Sequence, residues 1–253
     1  MSKIDRKSRH EIALIKSAGE INAGAHAAVR DILKPGVTTQ ELNDAAEAYI
    51  RGQGAIPTFK GMYGFPATLC ISVNDEVVHG IPSPTRVLNE GDVVSIDCGS
   101  TFKGMIADSA ITWPVGAITD DVAKLLSATE EGLMAGIEKM VAGNYLEDVS
   151  GAIEDVCLKY GFGLVRQYGG HGVGRKLHEA PFVHNYRTGE RGPQLAEGVV
   201  LALEPMFNLG VEDVYTDVDE WTVITVDRKP SAHFEHTVAI TANGPEIMTR
   251  LPG

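Results

Sequence analysis

The sequence predicts an α/β protein of the α+β kind, built from two equivalent halves, because the order helix, helix, strands occurs twice along its 253 residues. Two further observations support that reading. The turns inside each helix pair look alike, LKPGVTTQEL against MVAGNYLEDV, and no Ser- or Gly-rich linker separates the halves. One compact domain over residues 1–253 is expected, with pseudo-equivalent halves at about 8–115 and about 116–250.

The first helix is expected to begin at Ser8, where Ser8-x-x-Glu11 forms a capping box ahead of the apolar stripe Ile12, Ile15, Ala18, Ile21, Ala25. It should stop at Lys34, since Pro35-Gly36 cannot continue it. Thr38-x-x-Glu41 caps a second helix to about Gln53, and extended segments follow near residues 66–79. The runs VVSIDCG and GMIADSAITW then read as a hairpin turning near Phe102-Lys103-Gly104. With Phe102 and Lys103 as the loop, Asp97 pairs directly with Asp108, and opposed like charges destabilise a sheet. In the second half, helices are expected from about Asp120 to Val141 and over YLEDVSGAIEDVCLKYG, ending at Gly161. The strand-like runs VVLALEP, EWTVITV and AHFEHTVAI follow.

Hydrophobic content of 43% and charged content of 22% are those of a globular protein. A net charge of −12 argues against a nucleic-acid partner, which selects a basic face. Cys70, Cys98 and Cys157 form no C-x-x-C pair and leave one thiol over in any disulfide scheme, so they read as reduced. MSKIDRKSRH lacks the apolar core of a secretory signal, and no run approaches the ~20 apolar residues that span a bilayer. A cytoplasmic protein with no membrane partner is expected. The absence of an apolar extension or heptad points to a monomer.

Three more polar residues stand in the apolar or glycine-rich runs of the second half: His171 in QYGGHGVGR, Glu204 in VVLALEP and Glu235 in AHFEHTVAI. Each alone has an ordinary explanation as a solvent-facing or loop residue. Together with Asp97 and Asp108 they form a set whose carboxylates, once buried, must be protonated, paired or metal-bound. Lys103, at the hairpin tip, is too little countercharge. Four carboxylates and one imidazole suit two divalent transition ions sharing carboxylate bridges. Competing motifs fail: His178-Glu179 does not begin HExxH, GGHGVGR lacks dinucleotide-loop spacing, and no G-x-S-x-G elbow exists. Cys98 belongs to the opposite pleat face from Asp97 and reads as core packing.

CISVNDEVVHGIPS, GDVVSIDCGS, ADSAITW, GGHGVGRKLHEAP, LEPMFNLG, EWTVITVDRKPSAHFEHTVAIT and NGPEIMT carry a specific resemblance. In order and spacing, over essentially the whole chain, the sequence resembles the type I methionine aminopeptidases in their short bacterial-style form. That resemblance implies the pita-bread fold, with two pseudo-twofold halves around a central antiparallel sheet. It implies Asp97, Asp108, His171, Glu204 and Glu235 as ligands of two divalent ions (Co, Mn, Fe or Zn), with Asp108 and Glu235 bridging and Asp97 bidentate on one ion. It further implies Glu204 as the proton shuttle, His178 as donor to the scissile carbonyl and His79 at the scissile amide. Phe65, Cys70, Leu177 and Trp221, with His79 and His178, would enclose the substrate. A monovalent cation would bind near Asn74 and Ser231. The implied substrates are amino-terminal methionines of nascent polypeptides and peptides with a small second residue, met through transient ribosome contact.

The sequence departs from that family at the pocket. Leu177 stands where an aromatic residue is usual, and Met62 and Tyr63 replace residues more often Tyr and His in bacterial members. The alternatives on the same fold are a proline-specific peptidase, which normally carries a long amino-terminal domain, and a non-catalytic peptide-binding protein, which would have lost ligands. A dinuclear phosphoesterase predicts none of the pocket residues. Only 30 residues separate Glu204 from Glu235, too few for the helical insertion of the type II enzymes.

Overall fold

The computed structural model describes residues 4–251; residues 1–3 and 252–253 of the expected single domain lie outside it. Helix α1 (Arg9–Ile32) starts on the predicted capping box, with the Ser8 hydroxyl accepting from Glu11 N–H and the Glu11 carboxylate accepting from Ser8 N–H at 2.8 Å. Such a cap stabilises by about 1 kcal/mol relative to alanine. The helix ends two residues sooner than expected, because the residue before Pro35 is barred from helical geometry and Leu33 is already extended. Helix α2 (Thr39–Gly52) repeats the capping box at Thr38 and Glu41.

The first half continues through β1 (Ile56–Pro57), β2 (Leu69–Val73), β3 (Glu76–Val78), β4 (Val93–Phe102) and β5 (Met105–Pro114). Helices α3 (Asp120–Glu138) and α4 (Leu146–Tyr160) open the second half; α3 stops three residues before Val141, and α4 ends on left-handed Gly161 as expected. Then come β6 (Gly163–Leu164), β7 (Gly170–Gly172), β8 (Glu179–Val183), β9 (Val200–Leu203) and β10 (Met206–Asn208). The chain closes with β11 (Val214–Thr216), β12 (Val223–Thr225), β13 (Ser231–His233), β14 (His236–Thr241) and β15 (Gly244–Ile247).

The repeat predicted from the two interhelix turns is structural. Thr38 bridges Val87 and Tyr145 bridges Gln194, a constant offset of 107 residues on both members of the pair. The same offset carries the Gly36 N–H to Leu88 carbonyl bond onto the Gly143 N–H to Leu195 carbonyl bond. It also carries Asp97 onto Glu204, so two of the five predicted ligands occupy equivalent places in the two halves.

Each helix pair packs on the strands of its own half. Leu42, Ala46 and Ile50 of α2 pack on Ile71, Val94, Ile96 and Cys98, whereas Leu133, Val149 and Ile153 of α3 and α4 pack on Leu201, Leu203, Val238 and Phe207. Burial of each such side chain contributes roughly 1.5–3 kcal/mol, which commits the alternate residues of β4, Asp97 among them, to the opposite face. Cys98 is core, as expected.

The halves meet along β5 and the break between β13 and β14. The Glu235 N–H donates to the Ala110 carbonyl at 2.8 Å, and the Ala110 N–H to the Glu235 carbonyl at 3.3 Å. Thr112 and His233 on one side, and Asp108 and Thr237 on the other, bond across the same antiparallel seam.

Candidate active site

The β4–β5 hairpin departs from its expected register. Phe102 pairs with Met105, so the loop is Lys103-Gly104, and both loop residues have positive φ (49° and 80°). A two-residue turn of that hand fits the twist of the strands and places glycine at its second position, which the Phe102-Lys103 loop could not. Asp97 consequently lies opposite Ala110, and Asp108 opposite Gly99. The slip is two residues, so both carboxylates keep the same face as diagonal neighbours, with backbones about 7–8 Å apart.

Helix α1 supports that hairpin from behind. Asn22, buried, donates to the Cys98 carbonyl and receives the Ser109 hydroxyl at 2.5 Å, while His26 Nε2 meets the Ser109 carbonyl at 3.1 Å. Residues one helical turn apart thus hold both strands that carry the aspartates.

Glu204 and Glu235 leave the opposite hairpin where its ladder breaks. His236 pairs with Leu203 and His233 with Met206, and Pro205, which has no N–H, interrupts the pairing between them. Glu235 therefore lies between two strands rather than inside one, a correction to the expected continuous strand. His171, in β7 beside β9, directs Nε2 to within 3.6 Å of a Glu204 oxygen and 3.9 Å of an Asp108 oxygen. One donor atom each from Asp108, His171 and Glu235 lie within 4.8 Å of one another.

This donor set fits divalent cations. Asp97 Oδ1, Asp108 Oδ1 and Glu235 Oε1 are buried without a hydrogen-bond partner, which a protein does not tolerate for ionised oxygens lacking a counterion. Desolvation first, and the neighbouring carboxylates second, push Asp108 and Glu235 well above the usual carboxylate range. Desolvation likewise raises Glu204 to about 8 and Asp97 to about 7, the latter against the favourable field of His233. Burial lowers His171 to about 4, leaving a neutral imidazole able to ligate.

All the predicted metal-binding, catalytic and substrate-binding residues line one cavity, which Asn74 and Ser231 do not reach. Phe65, Cys70, Leu177 and Trp221 form its apolar end, joined by Phe59, Met62 and Tyr63, and the Phe65 and Trp221 rings meet edge to face at 5.1 Å. Desolvation raises the Cys70 thiol well above its ordinary value, so it is an uncharged wall and no nucleophile. His79 and His178 flank the carboxylates; His79 adopts a left-handed φ of 63°, and burial lowers it to about 4. His178 meets the His171 ring edge to face at 4.5 Å. Asn74 and Ser231 are also brought together: the Ser231 N–H donates to the Asn74 carbonyl at 2.9 Å.

Sequence reasoning missed His233. Its Nε2 stands 3.6 Å from Glu204 Oε2, and neither ring nitrogen has a hydrogen-bond partner. The signal was its spacing of two from Glu235 in an extended run, which places both on one face.

Residues 13–242 match Peptidase_M24, metallopeptidase family M24, and the chain belongs to that family. Methionine aminopeptidase 1 of Bacillus subtilis is 48% identical over 245 residues, 97% of this chain and 98% of that protein. The crystal structure of the methionine aminopeptidase of Thermotoga maritima superposes with a TM-score of 0.96 at 40% identity, covering 98% of this chain and 100% of that one. The prolidase of Pyrococcus furiosus, 23% identical with a TM-score of 0.78 over 98% of this chain and 66% of its own, shares the fold alone. Among the described residues no helix is long and apolar enough to cross a membrane.

Proposed function

We propose that this protein is a methionine aminopeptidase acting as one catalytic domain, removing the initiator methionine from nascent proteins and peptides whose second residue is small. The observation that carries this reading is a single cavity lined by the four carboxylates and by the apolar side chains Phe59, Met62, Phe65, Leu177 and Trp221. Full-length likeness to methionine aminopeptidases supports it over the proline-specific reading, which rests on fold alone.

Asp97, Asp108, His171, Glu204 and Glu235 would hold two divalent ions drawn from Mn, Fe, Co or Zn. When bound, those ions supply Lewis acidity and lower the pKa of water to the neutral range. Glu204 accepts the proton of the attacking water and returns it to the leaving amine. His178 donates to the carbonyl oxygen as negative charge develops there. His79, neutral at working pH because burial lowers it to about 4, orients the scissile amide without adding charge. Phe65, Cys70, Leu177 and Trp221 bind the methionine side chain. A monovalent cation would be held near Asn74 and Ser231, which the Ser231 N–H to Asn74 carbonyl bond brings together. The protein works as a cytoplasmic monomer that meets the ribosome transiently.

The test is cleavage of Met-Ala, Leu-Ala and Ala-Pro starting peptides by chelated protein reloaded with each metal in turn. Metal-dependent release of methionine is expected. Preferential cleavage of the Ala-Pro peptide, or none of any peptide under any metal, would overturn the reading.

A further inference from the structure

His178 sits on a turn between β7 and β8 that no regular element supports, yet its direction decides what it can donate to. The support comes from the start of the chain. Lys7 is buried, and its Nζ reaches Glu179 Oε2 at 2.5 Å, a contact between residues 172 positions apart. The other Glu179 oxygen accepts the backbone N–H groups of Arg175 at 2.7 Å and Lys176 at 3.0 Å. Lys7 is itself held: its own N–H donates to the Gly198 carbonyl at 2.7 Å, and Ser8, the next residue, caps α1. At Gly174 a Cβ would lie 2.4 Å from Lys7 Cε, so the lysine stem fills the space that a side chain there would need. A second tie runs outside the first, from the Arg175 guanidinium to Asp5 and Glu11.

We propose that Lys7 is a positioning residue of the active site, acting through Glu179 to fix the 174–178 turn and with it the direction of His178. This rests on the function proposed above for its kinetic consequence, and on the geometry alone for its structural one. A buried ammonium loses its water and must keep its carboxylate partners, here Glu179 inside and the half-exposed Asp5 at 3.0 Å outside, so the Lys7–Glu179 contact acts as a strut rather than a screened surface contact. A carboxylate accepting two adjacent amides gives the turn one conformation, and hydrogen bonds to charged acceptors are stronger than neutral ones.

The test is a double-mutant cycle on the metal-loaded full chain with Lys7→Met, which keeps the stem and removes the charge, and His178→Ala. Lys7→Met is expected to lower kcat about tenfold or more with KM and metal content nearly unchanged, and to lower it by less than about twofold once His178 is alanine. Equal losses in both backgrounds, or a loss under about twofold in the first, would show a role that does not pass through His178 and overturn the proposal. Hydrogen exchange of the peptide spanning residues 173–179 is expected to accelerate about tenfold in Lys7→Met. Unchanged exchange overturns the strut even where the parent protein cleaves methionyl peptides, whereas failure of the parent to cleave them refutes the functional reading alone. Glu179→Gln, which keeps the amide acceptors and loses the charge, runs the same cycle and the same exchange measurement where Lys7→Met does not fold.

Discussion

Thr237 and Asp108 bond reciprocally across the junction of the two halves. The Thr237 hydroxyl accepts the Asp108 N–H at 2.9 Å and donates to the Asp108 carbonyl at 2.8 Å. A side chain of the second half thus completes the backbone pairing of the strand that presents a predicted ligand of the first. Thr237→Val keeps the shape and strands both buried groups, so a loss of roughly 2 kcal/mol or more is expected in urea unfolding, with Thr237→Ser restoring most of it. A Val variant as stable as the parent would mean that the seam does not depend on this pair.

Removing the metal should make stability pH-dependent in an unusual direction. Asp97 and Glu204 have folded-state pKa values raised to about 7 and about 8, so the folded state binds more protons than the unfolded chain. Stability from such groups is lost as pH rises through the folded pKa. Below pH 6.5 the lowered histidines oppose this, so the clean window lies between 6.5 and about 8. Chelated protein should lose melting temperature across that window, and divalent metal should restore it most at the upper end. Asp97→Asn should flatten the slope and lower both metal content and activity; melting temperatures that rise with pH in chelated protein would refute the assignment.

Glu204→Gln tests the proton shuttle. Turnover should fall on the order of 10²–10⁴-fold while KM changes little, because proton transfer belongs to the transition state. Metal content must be measured beside the rate. A fully metallated variant with normal turnover would leave Glu204 only a ligand.

Acid stability should depend on His26. Burial lowers it from 6.5 to about 4, so the neutral ring contributes fully above pH 6.5 and the contribution is lost as pH falls. The shift corresponds to about 3 kcal/mol by pH 4. His26→Gln, which can still donate to the Ser109 carbonyl, should close its stability gap to the parent by about that amount on acidification. A gap constant with pH would exclude the histidine as a source of acid sensitivity.

Leu177 is the pocket position at which methionine selectivity can be tested. It is buried and lines the pocket together with Phe65 and Trp221, and an aromatic residue there would add a sulfur contact of about 0.3–1.5 kcal/mol. Leu177→Phe should raise the ratio of specificity constants for Met-Ala over norleucine-Ala starting peptides up to about tenfold. An unchanged ratio would make the departure at Leu177 neutral.

By itself the sequence determined what local interactions can encode. Ser8-x-x-Glu11 and Thr38-x-x-Glu41 start helices because the capping partners lie within one turn, and Gly161 ends one because it takes a left-handed φ at no steric cost. The candidate ligand set was legible because carboxylates stand out in apolar runs, and the family resemblance needed only residue order. Tertiary structure decided the rest. The strand register followed from the handedness of the Lys103-Gly104 turn, which moved Asp97 opposite Ala110. Pro205 broke a ladder and freed Glu204 and Glu235 from it, and their return to the carboxylates of the first half depends on a seam between residues more than a hundred positions apart. His233 carried only the weak signal of its spacing from Glu235 and Lys7 carried none, since one is buried beside Glu204 and the other against Glu179 only after the chain has closed. A sequence window records the forces within a turn or a strand, whereas burial and partner choice are set by contacts that exist only in the folded chain.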